Sequence, residues 1–272
     1  MTCTIIVPCY NEAERLDRNT FMGYLEEHSE IAFVFVNDGS IDRTGVMLEE
    51  LHEEVPGQVE VLHQGANAGK AEAVRAGLLY ALNRARSTYV GFWDADLATP
   101  LEAISDLQQV FSEYPEVDVV LGSRVKLLGR NIERQPIRHY LGRVFATCAS
   151  LVLDLPVYDT QCGAKLFRVT PALVQVLQQP FRSRWIFDVE LIARFLQIYS
   201  TQKENVQNSF YEFPLRCWRD VAGSKVRGSD FLRAAKELWI IRKQYFAKSA
   251  QVGLVPQPLA GKSKATASQR ES

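Results

Sequence analysis

Thr88-Tyr89-Val90-Gly91-Phe92-Trp93-Asp94-Ala95-Asp96-Leu97-Ala98-Thr99-Pro100 is the stretch that decides the fold. Thr88–Trp93 is apolar and β-rich, so it reads as a buried strand, and it stops at two aspartates one residue apart. In extended backbone, residues two apart point the same way, so Asp94 and Asp96 can face one ion. Two carboxylates together with diphosphate oxygens make a hard-oxygen site suited to Mg2+ or Mn2+. The ion would neutralise charge building on a departing nucleoside diphosphate. A bare Asp-x-Asp is common; its position after an apolar strand makes it informative.

Working outward, Cys3–Pro8, Ile31–Val36, Val59–Leu62 and Val117–Gly122 have the same strand character. Between them the spacing predicts helices at about Glu12–Glu27, Asp42–Glu54 (Ser40 or Asp42 as N-cap), Lys70–Arg84 and Leu101–Phe111. This alternation predicts an α/β fold with a mostly parallel central sheet flanked by helices. Ligands in such sheets bind beyond the carboxyl ends of the strands, where the polar clusters fall. Asp38, in Asn37-Asp38-Gly39-Ser40, can hydrogen-bond a nucleobase or ribose, or cap an ordinary turn. Asn11, in Pro8-Cys9-Tyr10-Asn11-Glu12, has the same two readings. Gly65–Ala71 falls short of a P-loop: its glycine spacing is one short and Ala71 replaces the Ser/Thr. No GxGxxG follows the first strand, which weighs against a dinucleotide enzyme.

The net charge of −1 conceals an asymmetry: residues 1–121 carry 7 Lys/Arg against 21 Asp/Glu, residues 122–272 carry 24 against 11. A metal-bound nucleotide suits the first half, and an anionic surface or substrate the second. Arg124, Lys126, Arg130, Arg134, Arg138 and Arg143 lead into the apolar run His139–Leu153. Later elements are a helix over Phe187–Gln197 and a strand over Asn208–Leu215. Ser229–Lys248 reads as a basic amphipathic helix with Phe231, Leu238, Ile241 and Tyr245 on one stripe, widened by Trp239 and Phe246. It either binds a membrane interface or packs on the sheet. No run reaches the roughly 18–20 apolar residues that span a bilayer, so the chain is expected to be soluble or monotopic. The expected location is cytoplasmic, peripheral or monotopic at the cytoplasmic face of a membrane. The five cysteines form no metal-finger spacing and read as buried hydrophobes in a reducing compartment. The expected organisation is one domain over 1–250, with 1–121 suiting a metal-bound nucleotide and 122–250 an anionic substrate or membrane surface. A disordered tail over 251–272 follows.

In order, IIVPCYNEAERL, VNDGSIDRT, NAGKAEAVRAGL and FWDADLATP resemble the inverting glycosyltransferase family 2. Gly122–Arg124, RVFATCASLVL, Asp159–Phe167, Arg184–Leu191 and Trp218 with Gly223–Lys225 look like its dolichyl-phosphate β-glucosyltransferase branch. The likeness covers roughly residues 3–245.

That resemblance implies a GT-A fold and transfer of a sugar, glucose from UDP-glucose, onto a polyprenyl or dolichyl phosphate. It makes Pro8, Tyr10, Glu12 and Asp38 nucleoside contacts, with Asn67 and Lys70 near the base, ribose or diphosphate. Asp94 and Asp96 would hold the metal and diphosphate. A related mannosyltransferase branch has Gln where Ala98 stands, which leaves that position to water or another side chain. Arg124 and Arg143 would hold phosphate, and Asp159, Gln161 and Lys165 would border the sugar and reacting phosphate. Arg138, Trp185, Asp188 and Lys225 join the acceptor and sugar set, though Trp185, Asp188 and Glu190 equally suit core packing and a helix start. A nucleic-acid partner is not expected. The competing expectations are a GDP-mannose-dependent polyprenyl-phosphate mannosyltransferase, a transferase for soluble saccharides, and a non-catalytic nucleotide-sugar-binding module.

Overall fold

A computed structural model describes residues 2–202, 205–221 and 229–247, with backbone alone for 136–139 and 229–232. Lys225, the rest of Gly223–Lys225 and the 251–272 tail lie outside the described residues, as do the side chains of Arg138 and Phe231.

Strands β1 (Cys3–Cys9), β2 (Ile31–Asn37), β3 (Val59–His63) and β4 (Tyr89–Trp93) run parallel, as the apolar runs predict. Beyond β4 come β5 (Val119–Ser123), a short β6 (Asn131–Glu133) and β7 (Ala164–Arg168). The last strands are β8 (Phe210–Pro214) and β9 (Cys217–Arg219). The seven-stranded sheet has the order β3-β2-β1-β4-β7-β5-β8, and β7 alone runs against its neighbours. That reversal matters for the site. The start of β7 lies at the same rim as the ends of β1, β2, β4 and β5. Strands β6 and β9 pair separately.

Side-chain alternation along the strands feeds two cores. Ile5, Val7, Phe33, Phe35 and Trp93 pack with α1 (Arg18–Glu27), α2 (Thr44–Glu54) and α4 (Ala103–Glu113). Ile6, Val34, Val36 and Phe92 pack on the other face with α3 (Lys70–Arg84), α5 (Pro136–Leu153), α6 (Pro171–Leu177), α7 (Phe187–Ser200) and α8 (Ser229–Ile241).

Three sequence expectations shift. The α1 helix starts at Arg18, not Glu12, because Asp17 caps it by accepting from Thr20 N at 3.1 Å. The α2 helix starts at Thr44, and Asp42 Oδ1 accepts from Thr44 N at 2.9 Å instead of acting as the N-cap residue. Leu238 and Ile241 of α8 are buried in the second core, so that stripe packs on the protein, while Trp239 is 62% exposed and does not share it. Each buried aliphatic side chain contributes about 1.5–3 kcal/mol, so the core reading of the stripe holds. After α8 the chain forms a π-turn over Arg242–Phe246. Cysteines 3, 9 and 162 are buried as expected, but Cys148 is exposed on α5.

Candidate active site

The rim after β4 is built by its own side chains. The buried Trp93 indole donates to Thr99 O at 2.8 Å, Asp96 Oδ1 accepts from Ala98 N at 3.1 Å, and Leu97 N donates to Asp94 O at 3.2 Å. Leu97 takes φ 51°, left-handed backbone that a branched side chain adopts only at a cost of about 1–3 kcal/mol. Across this tight turn Ala95 is 5% exposed and points inward, whereas Asp94 and Asp96 are half-buried and face the rim together. Burial, then the Asp94 carboxylate, pushes the Asp96 pKa up from its ordinary value. Lys70 Nζ forms an ion pair with Asp94 Oδ1. Withdrawal from water disfavours the lysine's charge, but Asp94, Asp188 and Asp96 outweigh this and raise its pKa.

Asp94 also leans on a residue that the reading of the sequence did not assign. Asp94 N donates to Gly163 O at 3.1 Å, and a Cβ on Gly163 would overlap the Asp94 carboxylate. Only glycine leaves that carboxylate its seat. The sequence signal was present in Asp-Thr-Gln-Cys-Gly, but nothing in one chain distinguishes a close-packed glycine from a turn glycine.

On the other side of Gly163 lies the basic half. Arg124, just past β5, grips Asp159 through Nε to Oδ2 at 2.6 Å and Nη2 to Oδ1 at 2.8 Å. Desolvation opposes the charge on each, and the pairing more than offsets it: the carboxyl is held far below its usual range and the guanidinium pKa is raised. Glu212 of β8 fixes the same turn by accepting from Tyr158 N at 2.7 Å and Asp159 N at 2.6 Å. Arg134, half-buried, is felt by both Arg124 and Asp159; burial first, and Arg124 second, lower its pKa. Arg143 donates to Tyr158 O at 2.8 Å and lies 3.4 Å over the Tyr158 ring. Glu212 and Arg134 were not among the assigned site residues. Their signal was a strand glutamate and one arginine among many.

The remaining candidates divide. Pro8 and Gln161 are half-buried at the rim, Tyr10 is 37% exposed and Asn67 is exposed. Trp185 is also 37% exposed, before α7. Glu12 is held by Arg15 at 2.5 Å, and its backbone N–H donates to Thr44 Oγ1 at 2.8 Å. Asp38, expected at the nucleoside, is 2% exposed, and its two oxygens accept from Ala68 N at 2.7 Å and Gly69 N at 2.8 Å. It clamps the neighbouring loop. Lys165 and Asp188, expected beside the acceptor and sugar, lie together in the interior. The lysine is fully buried, and its Nζ donates to Asp188 Oδ1 at 2.6 Å and Cys162 O at 2.5 Å. A buried ammonium needs such partners, and here they lie beneath the sheet's rim. Glu190 is likewise internal, bound to Arg194 at 2.7 Å and to Ser183 N at 2.8 Å.

Among the described residues no cluster of three or more His, Cys, Asp or Glu could hold a metal alone. Asp94 and Asp96 fit a hard divalent ion as two of its oxygen ligands, with a phosphate-bearing ligand and water completing the shell.

The profile of glycosyl transferase family 2 matches residues 4–173. Over 247 residues the chain is 30% identical to a dolichyl-phosphate beta-glucosyltransferase of Trichomonas vaginalis, covering 86% of this chain and 69% of that one. It is 30% identical over 262 residues to the dolichyl-phosphate beta-glucosyltransferase of Saccharomyces cerevisiae, covering 89% and 74%. Glucosyl-3-phosphoglycerate synthase of Mycobacterium tuberculosis, solved with Mn2+, UDP and glucosyl-3-phosphoglycerate, superposes with a TM-score of 0.59 at 16% identity, over 89% of this chain and 78% of that one. The fold is GT-A.

Proposed function

Since this chain belongs to glycosyltransferase family 2 and is an enzyme of that class, we propose that it transfers glucose from UDP-glucose to a dolichyl or polyprenyl phosphate at a membrane surface. The observation that carries this reading is the meeting of two opposite banks at Gly163. The Asp94–Asp96 pair with Lys70 stands on one side, and Arg124, Arg134 and Arg143 with the Asp159 turn stand on the other. Two phosphate-bearing substrates need such a division. The relatives named for this activity support the choice of sugar and acceptor.

Asp94 and Asp96 would hold Mg2+ or Mn2+, which supplies charge neutralisation for the leaving diphosphate. Lys70, already drawn to Asp94, offers the diphosphate a second cation. Arg134 and Arg143 hold the acceptor phosphate, while Arg124 spends its fork on Asp159 and keeps that turn in place. A phosphate oxygen of the acceptor attacks the anomeric carbon as the bond to the diphosphate oxygen breaks, so an α-linked donor gives a β-linked product. A phosphate monoester with a second pKa near about 6 is already ionised at neutral pH. No side chain has to remove a proton, and Asp159, held ionised by Arg124, is unsuited to accept one.

The membrane contact falls on α5 in this reading. Tyr140, Val144 and Leu151 recur at helical spacing on one exposed face, with Leu141 beside them. Trp239 of the adjoining α8 is exposed too, and Arg233, Lys236, Arg242 and Lys243 supply exposed positive charge. No described helix is long and apolar enough to cross a membrane. The deciding experiment presents the purified protein with UDP-glucose, GDP-mannose or UDP-N-acetylglucosamine, each with Mg2+ or Mn2+ and a polyprenyl phosphate. A glucolipid formed from UDP-glucose is expected on thin-layer separation. A mannolipid alone would replace the donor, and no glycolipid at all would remove the proposal.

A further inference from the structure

The turn that leads into α7 is held by a residue of another helix. Oε2 of Glu237, on α8, accepts from Ser183 Oγ, from Ile186 N at 3.2 Å and from Trp185 N at 3.3 Å. Ser183 Oγ also accepts from Ile186 N at 2.9 Å. A single carboxylate oxygen thus gathers three donors, and charge-assisted bonds of this kind are stronger than neutral ones.

Within that turn, Arg184 reaches in the other direction. Its Nη2 donates to Ala68 O at 2.9 Å, and its guanidinium lies over Gly69, where a Cβ would stand 3.1 Å from Nη2. Gly69 has φ 95°, so glycine is required there on conformational grounds as well. Asp38 takes the N–H groups of Ala68 and Gly69. The short strap of Ala68 and Gly69 is therefore gripped by a carboxylate at its N–H groups and by a guanidinium at its carbonyl. Lys70 follows directly, opens α3 and pairs with Asp94.

We propose that Glu237 is a positioning residue for the nucleotide-sugar donor. It fixes the turn that carries Arg184, and through Arg184 it sets the strap that delivers Lys70 to the acidic pair. The inference rests on the donor reading above and adds a residue outside the donor-binding half of the chain. A purely structural glutamate would lower stability when removed and leave the donor's affinity untouched. A positioning one changes donor affinity in the folded protein.

The test uses the full chain and two readouts: UDP binding by isothermal titration with Mn2+ present, and steady-state KM for UDP-glucose and for polyprenyl phosphate. Glu237→Ala is expected to weaken UDP binding and raise donor KM about tenfold, with kcat and acceptor KM within about twofold. Glu237→Gln keeps an acceptor oxygen and is expected to recover most of the loss. Arg184→Ala reads the same link from its other end, should Glu237→Ala fail to fold. The double variant is expected to be no worse for UDP than the weaker single, because both act through one contact. Unchanged UDP affinity in Glu237→Ala, or in Arg184→Ala, or losses that multiply in the double variant, would overturn the proposal. Failure of the wild-type chain to bind UDP or GDP would remove the donor reading itself, and this inference with it.

Discussion

Arg124 and Asp159 form a two-point ion pair, with Nε to Oδ2 at 2.6 Å and Nη2 to Oδ1 at 2.8 Å, and the backbone N–H of Arg124 adds a third bond to Oδ2 at 3.2 Å. Both side chains are largely buried, so removing one partner leaves an uncompensated charge. Asp159→Asn is expected to destabilise the fold by about 3–5 kcal/mol and to reduce turnover strongly. The pH dependence has a definite sign. The folded carboxyl titrates below the unfolded one, so its stabilisation is complete above the ordinary carboxylate value and is lost as pH falls through the folded value. Urea unfolding of wild type and variant is expected to differ by a constant amount from pH 5 to pH 8, with the gap closing below about pH 4. A gap that widened in acid would contradict the pairing.

Gly163→Ala tests the seat of Asp94. The added methyl would displace the carboxylate, because the backbone of Gly163 is itself bonded to Asp94 N. Turnover is expected to fall about a hundredfold or more, since misplacing a charged group in the site costs several kcal/mol. Mn2+-dependent UDP binding is expected to weaken with it, and circular dichroism to remain that of wild type. Full activity in this variant would mean that Asp94 works from another position.

Asp96 carries the opposite titration behaviour to Asp159. Burial and the neighbouring Asp94 raise its folded pKa, so its ionised form is disfavoured by folding. That penalty is complete above the raised folded value and disappears as pH falls below the unfolded one. Asp96→Asn is therefore expected to raise Tm at pH 7, with the gain vanishing near about pH 3–4, while abolishing transfer. Asp96→Ala is expected to abolish transfer with the fold intact. Thermal melts across pH, with a turnover assay on each variant, check both halves.

The acidic pair, the strand it follows and the parallel half of the sheet were legible because they obey local rules. Apolar runs mark β1 to β4, and Asp94 and Asp96 fall two apart at a strand end. What stayed hidden depends on contacts between distant segments. Lys165 and Asp188 look like functional charges in the sequence, yet β7 slots between β4 and β5 and buries the lysine beneath the rim with Asp188 as its partner. Asp38 looks like a ligand contact or a cap for its own helix. In the fold it holds a loop thirty residues on, at Ala68. Glu237 gave no signal at all, since its partners lie 51 to 54 residues away. Residue spacing showed that α8 is amphipathic but not which side its apolar stripe faces, and the buried Leu238 and Ile241 answer that.

That answer transfers the membrane reading from α8's stripe to α5, and the two helices respond differently to the same kind of change. Val144 is 65% exposed and Leu151 is 78% exposed, on the face shared with Tyr140. Val144→Glu with Leu151→Glu removes apolar area from that face and adds two negative charges. In an exposed position this leaves stability within about 0.5 kcal/mol per site. Flotation with anionic vesicles is expected to fall sharply, while UDP binding stays at the wild-type level. Leu238, 6% exposed in the second core, where α8 packs on α5 and α7, behaves otherwise. Leu238→Ala opens a cavity and is expected to cost about 2–5 kcal/mol in urea unfolding, with flotation unchanged once the protein is folded. If the Leu238 variant lost vesicle binding while the α5 pair kept it, the interfacial face would have to be sought on α8.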